Sequence, residues 1–275
     1  MADIKAADVA KLRKMTGAGM MDCKGALQEA DGDFDRAQDI IREKGKLVAA
    51  KRADRETTEG QVIAKVSADG KKGIVIALGT ETDFVAANED FKGLAQKIAE
   101  VALENMPADV DALKAINVDG TSIEEQITQM TGKTGEKHSL AYYGKIEGEY
   151  VSSYIHMNNK LAVVVAFNKV ISVEAGKDIA MQVASMSPVS VAKEDCPAEV
   201  VEKELQIARE QVMQEGKPEN MVEKIAQGKL GKFFKDSTLM EQAFIKDGKI
   251  SVADYLKSVD ADAKVLGFRR FSLND

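Results

Sequence analysis

The sequence predicts an α+β protein, and three observations carry that prediction. A gap-free internal repeat pairs strand-like runs across tight turns, and each copy is followed by a helical stripe. The chain opens with three helix patterns punctuated by glycines. A coiled-coil seam then interrupts the second copy of the repeat. Composition agrees: of 275 residues 44% are hydrophobic and 30% charged, with no Trp, an ordinary helix-rich globular balance.

Residues 4–45 read as a three-helix unit. Val9, Leu12 and Met15 recur at helical spacing until Gly17 and Gly19, which permit backbone angles that other residues avoid. A second helix carries Cys23, Ala26, Leu27 and Ala30 and ends at the Asp31-Gly32 turn. Asp33 caps a third with the stripe Phe34, Ala37, Ile40, Ile41, which Gly45 is expected to close. An N-terminal helical domain over 1–45 and a polar linker over 46–58 follow. Such a bundle resembles a ubiquitin-associated domain.

The repeat sets EGQVIAKVSADGKKGIVIAL, from Glu59, against EGEYVSSYIHMNNKLAVVVAF, from Glu147. Glu59-Gly60 matches Glu147-Gly148, Lys72 matches Lys160, and Val75 matches Val163. The turns Asp69-Gly70 and Asn158-Asn159 make each copy an antiparallel hairpin. The helix after the first carries Phe91, Leu94, Ile98, Val101 and Ala102; that after the second carries Ile179, Met181, Val183 and Met186. The predicted core is therefore duplicated, with one subdomain over 59–140 and the other over 141–190 and 236–275. Between the two parts of the latter, 191–235 forms a coiled-coil hairpin. Val201, Leu205, Ala208 and Val212 step along its seam, and Gly216-Lys217-Pro218 turns the chain back. A last helix (Val252, Leu256) and a strand (Val265 to Phe271) close the chain.

Several chemistries fail on counting. Gly132-Lys133-Thr134 lacks the first glycine of a phosphate-binding loop, because Ile127 stands there. Asp31, Asp33 and Asp35 have calcium-loop spacing, but Arg36 and Arg42 replace the required glycine and glutamate. His138 and His156 with Cys23 and Cys196 make no zinc pattern. No catalytic set, cofactor or metal site is expected, so the chain reads as a binding protein. A formal charge of −7 argues against generic nucleic-acid affinity. The basic run Lys44 to Arg55 reads as a solvated helix end and linker, with RNA binding as its alternative. The longest apolar run, Leu161 to Phe167, is too short for a membrane. The charged, Ala-rich start does not read as a secretory signal, and a cysteine count of 2 suits a reducing cytoplasm.

Two segments carry a specific resemblance. KLRKMTGAGMMDCKGAL, Lys11 to Leu27, resembles the N-terminal signature of the elongation factor Ts family. GTETDFVAANEDF, Gly79 to Phe91, resembles that family's second signature. The order of a helical domain, a duplicated core and an inserted coiled coil is similar too. The chain departs from the family pattern at Ala141-Tyr142, where an arginine pair is expected. The resemblance implies a non-enzymatic guanine-nucleotide exchange factor, cytoplasmic, acting on the GTPase elongation factor Tu. It implies no direct nucleotide, nucleic-acid or membrane binding, and leaves 1:1 and symmetric 2:2 complexes as alternatives. By that likeness Phe84 is a wedge, Asp83 lies beside it and displaces Mg²⁺ with it, and Thr82 and Val85 flank them. Leu12, Met20 and Met21 of the N-terminal domain would contact the partner's nucleotide domain.

The residues themselves support part of this. Phe84 lies between a strand end and the helix capped by Asn88, out of register with the Phe91 stripe, so it is expected to face outward. Asp83 reads equally as a turn cap. Met20 and Met21 are adjacent on one helix start, so one is expected inside and the other exposed. An adaptor role suggested by the bundle alone would leave the duplicated core unexplained.

Overall fold

The computed structural model describes residues 4–274. The chain divides into two compact units. One holds the residues through Ile63, Ile76–Gly144 and those from Ser272; the other holds Ala64–Val75 and Lys145–Phe271.

In the first unit, α1 (Ala6–Thr16), α2 (Met20–Glu29) and α3 (Phe34–Lys51) form a bundle. α1 stops where Gly17 turns left-handed at φ 69° and its N–H donates to the Arg13 carbonyl. Leu12, Cys23, Ala26, Leu27 and Ala37 are fully buried in the bundle core. Asp33 caps α3 by accepting from the Asp35 and Arg36 N–H groups at 2.9 and 3.1 Å.

The chain continues through β1 (Glu59–Val66), β2 (Lys72–Thr80), a helical turn α4 (Asp83–Ala86) and the long helix α5 (Glu89–Asn105). Then come α6 (Val110–Ala115), the ribbon β3–β4 (Asn117–Val118, Thr121–Ser122), α7 (Ile123–Thr134) and β5 (His138–Glu147). All five residues of the predicted α5 stripe are buried. One boundary differs: α3 runs through Gly45, the expected stop, to Lys51, so the first part of the predicted linker is helical. The reason is packing. α3 lies against α7, and a Cβ on Gly132 would sit 2.8 Å from the Gly45 Cα. Gly45 makes room for a neighbouring helix instead of ending its own.

The second unit carries β6 (Tyr150–Ile155), β7 (Leu161–Phe167), α8 (Val173–Met186), the helical hairpin α9 (Ala198–Gln214) and α10 (Glu219–Ser237), the ribbon β8–β9 (Ala243–Phe244, Asp247–Ser251), α11 (Val252–Val259) and β10 (Val265–Ser272). β6 and β7 pair antiparallel from Tyr150↔Phe167 to Ile155↔Ala162. α8 buries Ala175, Ile179, Ala180 and Val183, whereas Met186 of the predicted stripe is exposed. α9 and α10 pack along Ala208, Val212, Ala226 and Leu230, with Arg209–Glu223 and Lys229–Glu215 pairs outside. Val201 and Leu205 are only half-buried, so the seam is confined to the middle of the hairpin.

The duplication goes further than a hairpin and a helix. Each copy gains a third strand beside the hairpin's second: the sheets run β1-β2-β5 and β10-β7-β6. The predicted division at 140/141 falls within β5. Each third strand follows a two-stranded ribbon and a serine-capped helix, Ser122 on α7 and Ser251 on α11. The shared Glu-Gly has a packing cause. A Cβ at Gly60 would lie 2.2 Å from the Leu78 carbonyl oxygen, and one at Gly148 would lie 2.8 Å from that of Phe167.

Candidate functional site

The segment between β2 and α5 has the composition of a helix start. Thr82 is the N-cap of α4, its carbonyl accepting from Ala86 N–H at 3.1 Å and its hydroxyl from Val85 N–H at 3.4 Å. A helix of four residues has no stability of its own, so outside contacts must hold it. Ala86 is buried and its carbonyl accepts from Gln61 Nε2 at 2.9 Å. Asn88 then starts α5 by accepting from Asp90 N–H at 2.8 Å.

The other side of the turn is held by two adjacent residues that follow α7. The Glu136 carboxylate accepts from Thr80 Oγ1 at 2.9 Å, Thr82 N at 3.0 Å and Thr82 Oγ1 at 2.6 Å. The Lys137 N–H donates to Glu81 Oε1 at 2.6 Å, and Arg52 at the end of α3 donates to both Glu81 oxygens at 2.9 and 2.8 Å. Burial works against the Glu81 charge, but the Lys137 amide and the Arg52 guanidinium outweigh it and lower its pKa below the ordinary glutamate value. The Lys137 ammonium donates to the carbonyls of Ala53 and Arg55, fixing the chain after α3.

On this braced turn Phe84 is 84% exposed. Asp83 is exposed beside it, Val85 half-buried beneath it, and Thr82 half-buried within the brace. The four residues predicted here are thus one structural unit, with Phe84 outward as expected. The bundle residues fare differently. Leu12 is fully buried in the bundle core, packed with Cys23 and Leu27, and lies beneath the surface that was expected to contact a partner. Met20 and Met21 are both exposed, at 46% and 76%, not one in and one out. They occupy the first turn of α2, before the stripe of Cys23, Ala26 and Leu27 turns inward. Met20 borders a shallow groove with Arg13, Lys14 and Lys133.

Sequence reasoning missed Glu136, Glu81 and Arg52. Arg52 was placed in a solvated basic run, and neither glutamate lies in a motif. The one available signal is spacing. Two threonines flank Glu81 after a buried strand, and such hydroxyls seek an acceptor. Among the described residues no helix is long and apolar enough to cross a membrane, and no His, Cys, Asp or Glu side chains gather as a metal site.

These features define a class: a mixed helix-and-sheet protein that presents an aromatic tip and a methionine pair at its surface. Residues 81–275 match the family model described as elongation factor TS. Proteins named elongation factor Ts are similar over nearly the whole chain. That of Christiangramia forsetii is 50% identical over 275 residues, covering 99% of this chain and 100% of its own. That of Amoebophilus asiaticus is 49% identical over 270 residues, covering 97% and 98%. That of Cytophaga hutchinsonii is 48% identical over 278 residues, covering 100% of both. The chain belongs to the elongation factor Ts family.

Proposed function

We propose that this protein is a cytoplasmic, non-enzymatic guanine-nucleotide exchange factor for elongation factor Tu in translation elongation. Phe84, with Asp83 beside it, wedges into the GTPase and disrupts its Mg²⁺ and phosphate contacts, so that GDP leaves and GTP reloads. Met20 and Met21 supply a second contact, on the partner's nucleotide domain, from a bundle that we read as ubiquitin-associated-like. The α9–α10 hairpin is a coiled-coil module outside the exchange step. Thermodynamic linkage requires no catalytic group. A factor that prefers the nucleotide-free partner must weaken GDP binding by the same ratio. Loss of Mg²⁺ removes the largest local positive charge opposing the phosphates.

The observation that carries this reading is the exposure of Phe84 on a turn held by hydrogen bonds on both sides. An aromatic left outside the core on a braced element supports a docking role, since burial is the usual fate of so large an apolar side chain. The test is release of fluorescent GDP from purified elongation factor Tu, followed by stopped flow with the parent protein and with Phe84→Ala. Much slower release with the variant is expected. Equal rates would remove Phe84 from the mechanism.

A further inference from the structure

We propose that Glu136 is a positioning residue for nucleotide exchange: its carboxylate sets the direction of Phe84. This inference rests on the wedge reading of Phe84 and adds the group that makes the wedge rigid.

Phe84 has almost no packing of its own, and α4 is a single turn. Its direction is therefore set by the backbone on either side. Downstream, Ala86 is buried and tied to Gln61. Upstream, the chain must change direction between the end of β2 at Thr80 and the cap at Thr82. There Glu136 gathers three donors, two hydroxyls and one main-chain N–H, all from those two residues. Bonds to an ionised acceptor are about twice as strong as neutral ones. A single carboxylate thus fixes both ends of the bend.

Glu136 is itself held. Its N–H donates to Thr134 Oγ1 at 3.2 Å, and that oxygen lies 2.8 Å from His138 Nε2. Gly135, left-handed at φ 74°, ends α7 immediately before it. Because α7 also packs on α3, the carboxylate stands on an element fixed by helix packing. A wedge held in its binding direction loses less entropy on docking than a free one, so preorganisation appears as faster exchange at a given concentration of factor.

The experiment is a double-mutant cycle on the full chain, read as GDP release from elongation factor Tu. It uses the parent, Glu136→Ala, Phe84→Ala and the double variant, with Glu136→Gln as the conservative replacement. Glu136→Ala should slow release about tenfold, the scale of lost hydrogen bonds to a charged group. In the Phe84→Ala background the same change should add almost nothing, because nothing remains to aim. Glu136→Gln keeps an acceptor of the same reach and should recover part of the rate. Amide exchange of the free protein gives a second readout. The Val85, Ala86 and Ala87 N–H groups should exchange faster in Glu136→Ala, while the α5 amides stay protected. Equal slowing in both backgrounds would overturn the proposal, as would unchanged exchange at those three amides. Parent-like release by Phe84→Ala would instead sink the wedge reading, and this inference with it.

Discussion

The connector from β2 to α5 and the connector from β7 to α8 stand at the same place in the two copies of one repeat, and they have diverged. The first spends an extra helical turn, is gripped by Glu136 and by the Glu81–Arg52 pair, and lifts a phenylalanine into solvent. The second runs directly to its cap, Ser172. There Asn168 exchanges bonds with Lys264 and Asp262, Lys169 pairs with Asp260 at 2.7 Å, and the exposed apolar side chains are Val170 and, at the first position of α8, Val173. Where the copies agree, as at Gly60 and Gly148 or in the buried strands β2 and β7, the shared cause is close packing. Where they differ, the second copy reaches its helix without an extra turn or an exposed aromatic. The aromatic turn is thus the feature of the first copy that the shared hairpin-and-helix frame does not account for.

The largest effects should separate scaffold from addition. Phe91 and Phe167 are fully buried, one in each copy. Truncation of either to Ala should cost about 3–5 kcal/mol of folding stability. Phe84→Ala should cost less than about 1 kcal/mol, since it empties no cavity. Urea unfolding of the three variants gives the comparison. A Phe84 variant as unstable as the other two would return this residue to the core.

On the partner the order should reverse. As a hot spot, Phe84→Ala should weaken the complex by about 2–4 kcal/mol, roughly 30- to 800-fold. Asp83→Ala should act in the same direction and less strongly. Val173→Ala, at the corresponding connector of the second copy, should change binding by no more than about 0.5 kcal/mol, as an ordinary surface substitution does. Titration calorimetry with GDP-bound elongation factor Tu measures all three. A Val173 variant as damaging as Phe84→Ala would mean that both connectors dock alike.

The hairpins, the α5 stripe, the bundle core and the outward Phe84 were legible in the sequence because each leaves a local period or breaks one. The last strand was legible too, as Val265 to Phe271, but its place beside β7 was not, and β5 was not read at all. β5 and β10 join their sheets from far along the chain, and a repeat read by matching neighbours stops before them. The brace of the turn was hidden for a similar reason: Glu136 meets Thr80 and Thr82 only after α5 and α7 have intervened. Leu12 and the methionines show the opposite limit. A resemblance named the segment, but the backbone alone separates the residue facing Cys23 and Leu27 from the two on the first turn of α2.

A smaller difference lies where the third strands begin. β10 starts with Val265 and β5 with His138, both buried. The His138 ring packs against Phe91 at 5.2 Å, and its Nδ1 is buried without a hydrogen-bond partner. Burial pushes its pKa from 6.5 down to about 4, against the pull of the Glu136 charge. Because the folded value lies below the unfolded one, the neutral ring favours the fold. That contribution is complete above pH 6.5 and is lost as pH falls toward 4. Between pH 6.5 and 5 the loss should be about 1.5 kcal/mol. Measured by denaturant unfolding across that window, His138→Gln should flatten the slope by that amount. A slope unchanged by the substitution would mean the ring takes up its proton without leaving the fold.

The smallest effect tests what else the first copy has added. α7 carries Gly132 where α3 crosses it, while α11, its counterpart in the second copy, has no glycine. Gly45 and Gly132 are not equivalent in that crossing. A Cβ on Gly45 would meet Thr128 O at 3.5 Å and Gly132 Cα at 3.6 Å, ordinary contact, whereas one on Gly132 would press on the Gly45 Cα. If Gly45 ended its helix in a left-handed conformation, alanine there would destabilise. In the middle of α3 it should instead stabilise, by about 0.5 kcal/mol, because glycine costs more backbone entropy in a helix than alanine does. Gly132→Ala should act with the opposite sign, since backbone must move to admit it. Thermal melts of the two variants show the signs directly. A loss of stability in Gly45→Ala would mean that α3 and α7 pack too closely for even one methyl group, and that both glycines hold the bundle to the first copy.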